Sequence, residues 1–473
     1  MDKINSLSLT DARDGLKKGL FSSLELTREC FNRIEKIEPR VKAFVSLDKE
    51  SSLEKARQAD TLLSYKDILL EKPFLGIPIS IKDNYCTKEF TTTASSNVLK
   101  NYRPPYNATV VNKLEDAGAI IIGKTNMDAW AHGSSTETSD FFTTKNPWDT
   151  EKLPGGSSGG SAASVSSDEV IASIGSETAG SIRQPASWCG IVGFKPTYGR
   201  VSRYGVIAMG SSLDSPGPMT KRVADAALII EVIAGADGFD ATASDKKVEK
   251  YTDYLSHDLK NLTIGISDDY FKVADSEVAD SVNKSLEIFA KKGIKIKKVS
   301  LFDPAYAIGV YTILQRSEVS SNLGRYDGIR YGEDRTNFGE EAKRRIMLGT
   351  YCLSAGYYDA YYLKAQKVRT LIIENFKKVF GEVDAIIGPT TPSVALPVGS
   401  SKNNPMFGEV ADVLVEPSTI AGLPGINLPS GLTKDGLPIG MQIIGPQFSE
   451  GLLIGLGNYF EKETLFYKNK PKI

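Results

Sequence analysis

Apolar residues recur at helical spacing through Leu26, Cys30, Ile34 and Ile37, behind a Ser22-x-x-Glu25 signature, and the run ends at Pro39. That spacing lays one apolar stripe along a helix, and Ser followed three residues later by Glu satisfies two of its first N–H groups reciprocally. The N-terminal segment, about 1–65, is therefore predicted to be helical and packed on a core. Residues 73–81 form an apolar run that leads into Lys82-Asp83-Asn84, the pattern of a buried strand with a lysine at its end. Residues 108–117 read as a helix, Gly118 as its C-terminal cap and 119–122 as a short buried strand. The pattern returns as strand 262–266, helix 276–292, cap Gly293 and strand 294–299, and again as helix 357–380 and strand 383–387. Such alternation predicts an α/β fold with a large mixed, mostly parallel central sheet covered by helices on both faces. Near the C-terminus, 425–428 and 439–444 flank Asp435-Gly436 and read as a strand pair returning to that sheet. The sequence contains no internal repeat.

Composition narrows the class. With 41% hydrophobic and 24% charged residues in 473, the chain reads as globular rather than disordered, fibrous or membrane-embedded. Its length accommodates about three domains of about 150 residues, or one large α/β unit. Fifty-seven Lys and Arg against 58 Asp and Glu leave a net charge of −1, so no global field draws the chain to nucleic acid or an anionic membrane. The apolar stretch 226–236 is interrupted by Glu231 and falls short of the roughly 20 residues a membrane span needs. Met1-Asp2-Lys3-Ile4-Asn5 lacks the apolar core of a signal peptide and the arginine-rich face of a transit peptide, so the expected location is the cytosol, with an organellar matrix as the alternative. Cys30, Cys86, Cys189 and Cys352 lie far apart with no C-x-x-C pair, which points away from a zinc knuckle, any other metal site or a disulfide framework and towards reduced, mostly buried thiols. There are two histidines, His132 and His257, and a Ser-His-Asp or Cys-His mechanism must recruit one of them. Hydrolytic chemistry here calls for another base.

Three segments carry candidate chemistry. Gly118 to Thr125 satisfies G-x-x-x-x-G-K-[ST] literally, but the intervening Ala-Ile-Ile-Ile is an apolar strand, whereas a phosphate cradle needs a loop with inward N–H groups. ATP binding there is rejected. Pro154-Gly155-Gly156-Ser157-Ser158-Gly159-Gly160-Ser161 has the composition of a linker, yet it runs into Ala162-Ala163-Ser164-Val165 and an apolar strand at 170–174. It reads instead as a loop where backbone approaches a substrate closely. The next loop, 175–185, places Ser181 at a strand end, where neighbouring N–H groups can converge on an oxyanion. An isolated Gly-Ser turn would carry no such weight; two serine-glycine loops, a strand-end lysine and scarce histidine together do. Burial can lower a lysine from about 10.4 far enough to make it a base, so Lys82 could deprotonate Ser157, which deprotonates Ser181 for attack on an acyl carbon.

The stretches 155–161 and Gly180-Ser181-Ile182-Arg183-Gln184-Pro185 resemble the amidase signature. Further similarity lies in Gly76-Ile77-Pro78 with 81–84, in 123–128, in 195–205, in 320–332 and in 343–350, so nearly the full length resembles one branch of that family, the A (glutaminase) subunits of the glutamyl-tRNA(Gln)/aspartyl-tRNA(Asn) amidotransferases. The resemblance implies a single amidase domain over 1–473. It implies a Ser-cisSer-Lys triad of Ser181 as nucleophile, Ser157 after a cis peptide as bridge and Lys82 as base, with an oxyanion hole from the N–H groups of Thr178, Ala179, Gly180 and Ser181. It implies a glutamine site at Tyr311, Arg345 and Asp412. A guanidinium suits the α-carboxylate of a zwitterion and a carboxylate suits its ammonium. No cofactor is implied in this chain. The implied partners are a B subunit, which uses ATP and Mg to activate charged tRNA and accepts the ammonia, and a small C subunit that completes a heterotrimer. Two departures stand out: Glu177-Thr178-Ala179-Gly180-Ser181 where the family has Asp-Thr-Gly-Gly-Ser, and a shorter stretch between Tyr331 and Phe338. The alternatives are a stand-alone amidase acting on a small or aliphatic amide, and a non-catalytic scaffold, which would predict a broken triad.

Overall fold

The computed structural model describes residues 4–65, 67–330 and 332–473. Tyr331, which bounds the shortened stretch, and Met1, Asp2 and Lys3 lie outside the described residues. Eleven strands line up in one sheet: β1 (Phe44–Leu47), β2 (Pro78–Lys82), β3 (Ile120–Thr125), β4 (Ala172–Glu177), β5 (Val192–Lys195), β6 (Ser215–Thr220), β7 (Thr263–Ile266), β8 (Lys295–Lys298), β9 (Ala385–Pro389), β10 (Gly425–Leu432) and β11 (Pro438–Ile444). Their spatial order is β1-β3-β2-β4-β6-β5-β10-β11-β9-β7-β8. Parallel pairing runs through two blocks, β3-β2-β4 and β9-β7-β8, each built by the strand–helix alternation visible in the sequence. The remaining neighbours, including the expected β10–β11 pair, are antiparallel.

Side chains alternate across a strand, so each strand feeds two cores. On β3, Ile121 joins one apolar cluster while Ile120 and Ile122 join another; on β9, Ala385 and Ile387 part in the same way from Ile386. Helices Leu9–Lys17, Thr109–Asp116, Val223–Ile233, Ser276–Lys291 and Glu450–Thr464 supply Leu9, Leu114, Ile230, Val282 and Leu453 to the first face. The other face is covered by Ser23–Val41, Gly159–Ser166 and Arg183–Cys189 at one end, and by Ala305–Asn322 and Lys364–Val379 at the other. The large mixed α/β sheet clad on both faces is thus the one the sequence predicts.

Local signals hold with small shifts. Ser22 Oγ accepts the Glu25 N–H at 3.1 Å and the Glu25 carboxylate accepts the Ser22 N–H at 2.8 Å, closing the capping box. The helix does not stop at Pro39 but runs to Val41. Proline in a last turn forfeits one hydrogen bond and keeps a helical φ, so the helix is capped only at Lys42, in the left-handed conformation. Glu38 then accepts the N–H groups of Ala43 and Phe44, each at 2.8 Å, and turns the chain into β1. The helix expected over 357–380 begins as a π-turn, Asp359–Leu363, and continues as Lys364–Val379. All four cysteines are free and buried. Among the described residues no helix is long and apolar enough to cross a membrane.

Candidate active site

Strands β2 and β4 run parallel side by side, so the chain leaves both at the same edge of the sheet. Lys82 ends β2, and β4 ends at Glu177, three residues later than its apolar run suggests, which starts the following loop at Thr178. The Gly-Ser tract crosses the same edge and is no linker: residues 153–167 are all buried, and 159–166 form a helix. At Gly156 a Cβ would collide with Asp128 Oδ2 and lie 2.6 Å from the Ser135 nitrogen, so only glycine admits this approach. The Gly156–Ser157 peptide is cis.

Lys82 is fully buried, with Nζ 2.7 Å from Ser157 Oγ, 3.0 Å from Ser176 Oγ and 3.1 Å from the Ser176 carbonyl oxygen. Asn84 Nδ2 donates to the same Ser176 hydroxyl at 2.9 Å, and Ser158 Oγ to the same carbonyl at 3.2 Å. Burial pulls the lysine down to about 7, against the opposing pull of Asp128, Asp214 and Glu177. A neutral amine donates two N–H bonds and accepts one. Protonated, Lys82 donates to Ser157 Oγ as well as to Ser176; neutral, with both N–H groups given to Ser176, it turns its lone pair to the Ser157 hydroxyl.

The loop 178–182 is pinned at both ends. Glu177 accepts the N–H groups of Ile182 and Arg183 at 3.1 and 3.0 Å and forms a two-point contact with the Arg183 guanidinium at 3.0 and 2.6 Å. Thr178 Oγ1 donates to Asp214 at 2.6 Å, and Thr419 Oγ1 to the Ala179 carbonyl at 2.6 Å. Asp214, pushed up to about 6 by burial, also accepts the N–H groups of Met209 and Gly210. Among the described residues, the N–H groups of Thr178, Ala179, Gly180 and Ser181 find no acceptor, which leaves four donors in one turn. Ala179 keeps a negative φ, so alanine in place of glycine meets no left-handed strain. Ser181 is 3% exposed and its carbonyl accepts the Ser158 N–H at 3.2 Å, which ties the two serine loops together. Among the described residues no hydrogen bond joins the Ser157 and Ser181 hydroxyls.

Tyr311 lies on helix Ala305–Asn322, Arg345 on Glu340–Leu353 and Asp412 at the end of Phe407–Asp412, and all three are buried. In the run Lys343-Arg344-Arg345, the first two side chains are each 41% exposed and the third 5%, so Arg345 is not part of a solvated helix face. Its Nε donates to Glu341 at 2.6 Å and its Nη1 to Gln315 Oε1 at 3.0 Å. Asp412 Oδ2 accepts the Ser134 hydroxyl at 2.7 Å, while Oδ1 has no partner and lies 2.5 Å from where a Cβ on Gly180 would sit. The phenol of Tyr311, raised by burial, lies within electrostatic reach of both Arg345 and Asp412. Tyr311 thus lies near both charges, and Asp412 lies beside the 178–182 loop.

The remaining sequence candidates stay structural. Lys124, of the rejected phosphate-loop pattern, is buried on β3, 3.4 Å from Asp83 and donating to Tyr85 O and Thr92 Oγ1. His132 is buried with both ring nitrogens unpartnered, and His257 is exposed. Ser176, Asp128, Asp214 and the Glu177–Arg183 pair were missed. Ser176 and Glu177 sat inside a loop already singled out, whereas no local pattern marks Asp214.

A family profile described as amidase matches residues 25–454. The chain is 47% identical to the A subunit of glutamyl-tRNA(Gln) amidotransferase from Natranaerobius thermophilus, over 99% of this chain and 98% of the relative. It is also 47% identical to the protein of the same description from Carboxydothermus hydrogenoformans, over 99% of both. Among solved structures, the A subunit of glutamyl-tRNA(Gln) amidotransferase from Thermotoga maritima superposes with a TM-score of 0.81 at 37% identity, covering 98% of this chain and 96% of that one. The peptide amidase of Stenotrophomonas maltophilia gives 0.84 at 28% identity, covering 98% of each. The chain belongs to the amidase family and, within it, to the A subunits of the glutamyl-tRNA(Gln) amidotransferases.

Proposed function

We propose that this chain is the glutamine-hydrolysing subunit of a tRNA-dependent amidotransferase, working through Lys82, Ser157 and Ser181. The observation that carries the reading is the buried Lys82, near neutrality at pH 7 and 2.7 Å from Ser157 Oγ. Lys82 takes the Ser157 proton as Ser157 takes that of Ser181, and Ser181 Oγ attacks the side-chain amide carbon of glutamine. The Ser157–Ser181 bond forms as substrate closes the site, since catalytic hydrogen bonds often tighten only then. The free N–H groups of Thr178, Ala179, Gly180 and Ser181 receive the developing oxyanion. The proton returned along the relay leaves with the nitrogen as ammonia, the C–N bond breaks, and water then cleaves the glutamyl ester to glutamate. Arg345 and Tyr311 hold the substrate's α-carboxylate, and Asp412 its ammonium.

The relatives' description as A subunits supports a multi-subunit assembly. In this reading a B subunit, using ATP and Mg, activates Glu-tRNA(Gln) and takes up the ammonia, a C subunit completes the complex, and charged tRNA is held mainly by B. The near-zero net charge suits a chain that does not hold tRNA itself. The N-terminal helices fit one unit spanning the chain, because Leu9, Leu16 and Leu26 share a core cluster with Ile79 and Ile174.

A stand-alone amidase with an uncharged substrate would leave Arg345 and Asp412 buried beside a ligand that pairs with neither, a costly arrangement. The test is ammonia release from glutamine by the chain with its partner subunits and Glu-tRNA, comparing wild type with Ser181→Ala and Lys82→Ala. Ser181-dependent release that rises with the partners supports the coupled glutaminase. Ser181-dependent cleavage of other amides alone, without glutamine hydrolysis, refutes it.

A further inference from the structure

The surroundings of Tyr311 contain more charge than a glutamine site of three residues requires. Arg345 is matched to Glu341 at 2.6 Å and Arg316 to Glu409 at 2.6 Å, both pairs nearly buried. Among the described residues Asp412 and Glu416 have no ion-pair partner, and Arg316, though paired, keeps Nε and Nη1 without an acceptor. Asp412, 3% exposed, keeps Oδ1 without a partner, and Glu416, fully buried, keeps both oxygens without one. Glu416 opens the five-residue helix Glu416–Ile420 but does not cap it, because neither oxygen accepts an N–H. Val413 and Val415 both have helical φ/ψ, so Asp412 and Glu416 stand four residues apart on one near-helical turn and share a face. Burial raises both well above the usual carboxylate range, and the Asp412 charge adds to the rise at Glu416. A buried carboxyl oxygen with no partner is costly and native proteins rarely keep one, so the three left on Asp412 and Glu416 call for a ligand group that satisfies them.

We infer that Glu416 and Asp412 form a two-carboxylate seat for the ammonium group of the substrate, which makes Glu416 a specificity-determining residue that selects amides bearing a primary ammonium. The inference rests on the glutaminase reading and refines its substrate site. An ammonium has three donors and one positive charge. Asp412 Oδ1, beside Gly180, receives one donor and Glu416 the others, which places the amine end at a fixed distance from the Ser181 loop.

The probes are L-glutamine and glutaramate, which is glutamine without its α-amino group, bound to the full-length Ser181→Ala chain and followed by calorimetry. The expected result is that L-glutamine binds the tighter of the two by about tenfold or more, and that Glu416→Gln removes most of this difference while leaving glutaramate nearly unchanged. Glu416→Leu, which fills the space with apolar atoms, should lose the same discrimination and keep or raise Tm. Equal binding of the two probes by the parent, or equal weakening of both by Glu416→Gln, overturns the inference. Hydrolysis by wild type separates it from the broader reading. Turnover of another ammonium-bearing amide in place of glutamine, sensitive to Glu416→Gln, sinks the glutamine assignment and leaves the seat standing; preference for butyramide over every ammonium-bearing amide removes the seat.

Discussion

At the scale of single residues, the proposed chemistry turns on a lysine forced towards neutrality by its surroundings. Only the neutral amine accepts a proton, so kcat/KM for glutamine should fall as pH drops through about 7 and level off above it; a limb near the ordinary lysine value of 10.5 would remove Lys82 as the base. The same burial acts on stability. Between about 7 and 10.5 the unfolded chain holds a proton on Lys82 that the folded chain lacks, so this residue's contribution makes the fold more stable as pH rises across that window, with the full penalty below about 7. Lys82→Met should therefore be inactive yet more resistant to urea than wild type at pH 7, with the advantage shrinking towards pH 10. Lys82, Ser157 and Ser181 stood out as candidates because each residue type is itself the signal, and the structure sets Lys82 against Ser157. Ser176, which supplies Lys82 with two acceptors, was not, because a serine that holds another side chain in place looks like any other serine in a polar loop.

One level up, the element proposed to react is the turn from β4 into helix Arg183–Cys189. Gly180 has no room for a side chain: a Cβ would lie 2.5 Å from both Asp412 Oδ1 and Val415 Cγ2. Gly180→Ala should displace the loop or Asp412 and lower kcat/KM by about 100-fold or more, in line with loss of an oxyanion donor, while Tm changes little. Unimpaired turnover would mean that this turn does not line the reacting atoms. Ser22→Ala provides the contrast, since the capping box lies in the N-terminal helix: it should cost about 1 kcal/mol in urea unfolding and leave kcat/KM unchanged. Strong signals at this scale survived into the structure, the capping box and the glycine caps above all. The weak ones explain what was missed. Strand β6 reads Ser-Pro-Gly-Pro-Met-Thr, with two prolines and a glycine where strand propensity is lowest, and its neighbour β5 is four residues long. Those two strands carry much of the antiparallel middle of the sheet, so the alternation visible elsewhere in the sequence reported only the parallel blocks.

For the molecule as a whole, the proposed nucleophile loop of the first half has to be held against the proposed substrate-binding residues of the second. Arg183 spans the gap: besides Glu177, its guanidinium donates to Gln442 Oε1 on β11 at 2.7 Å, to Ser418 Oγ at 3.0 Å, to Thr419 Oγ1 at 2.9 Å and to the Val415 carbonyl at 3.1 Å. These partners lie 232 to 259 positions away in sequence, so no local pattern could have exposed the connection. Both ends of the Arg183–Glu177 pair are fully buried, and removing one partner strands a charge in the interior. Arg183→Met should therefore lose about 3–5 kcal/mol in unfolding free energy together with most of the activity. The double variant Glu177→Gln, Arg183→Met leaves neither charge uncompensated and should recover part of that stability. Activity should not return with it, because the 178–182 loop would still lack the anchor that sets its N–H groups against Ser181 and Asp412. Stability and turnover recovering together would instead make Arg183 a packing residue with no hold on the site.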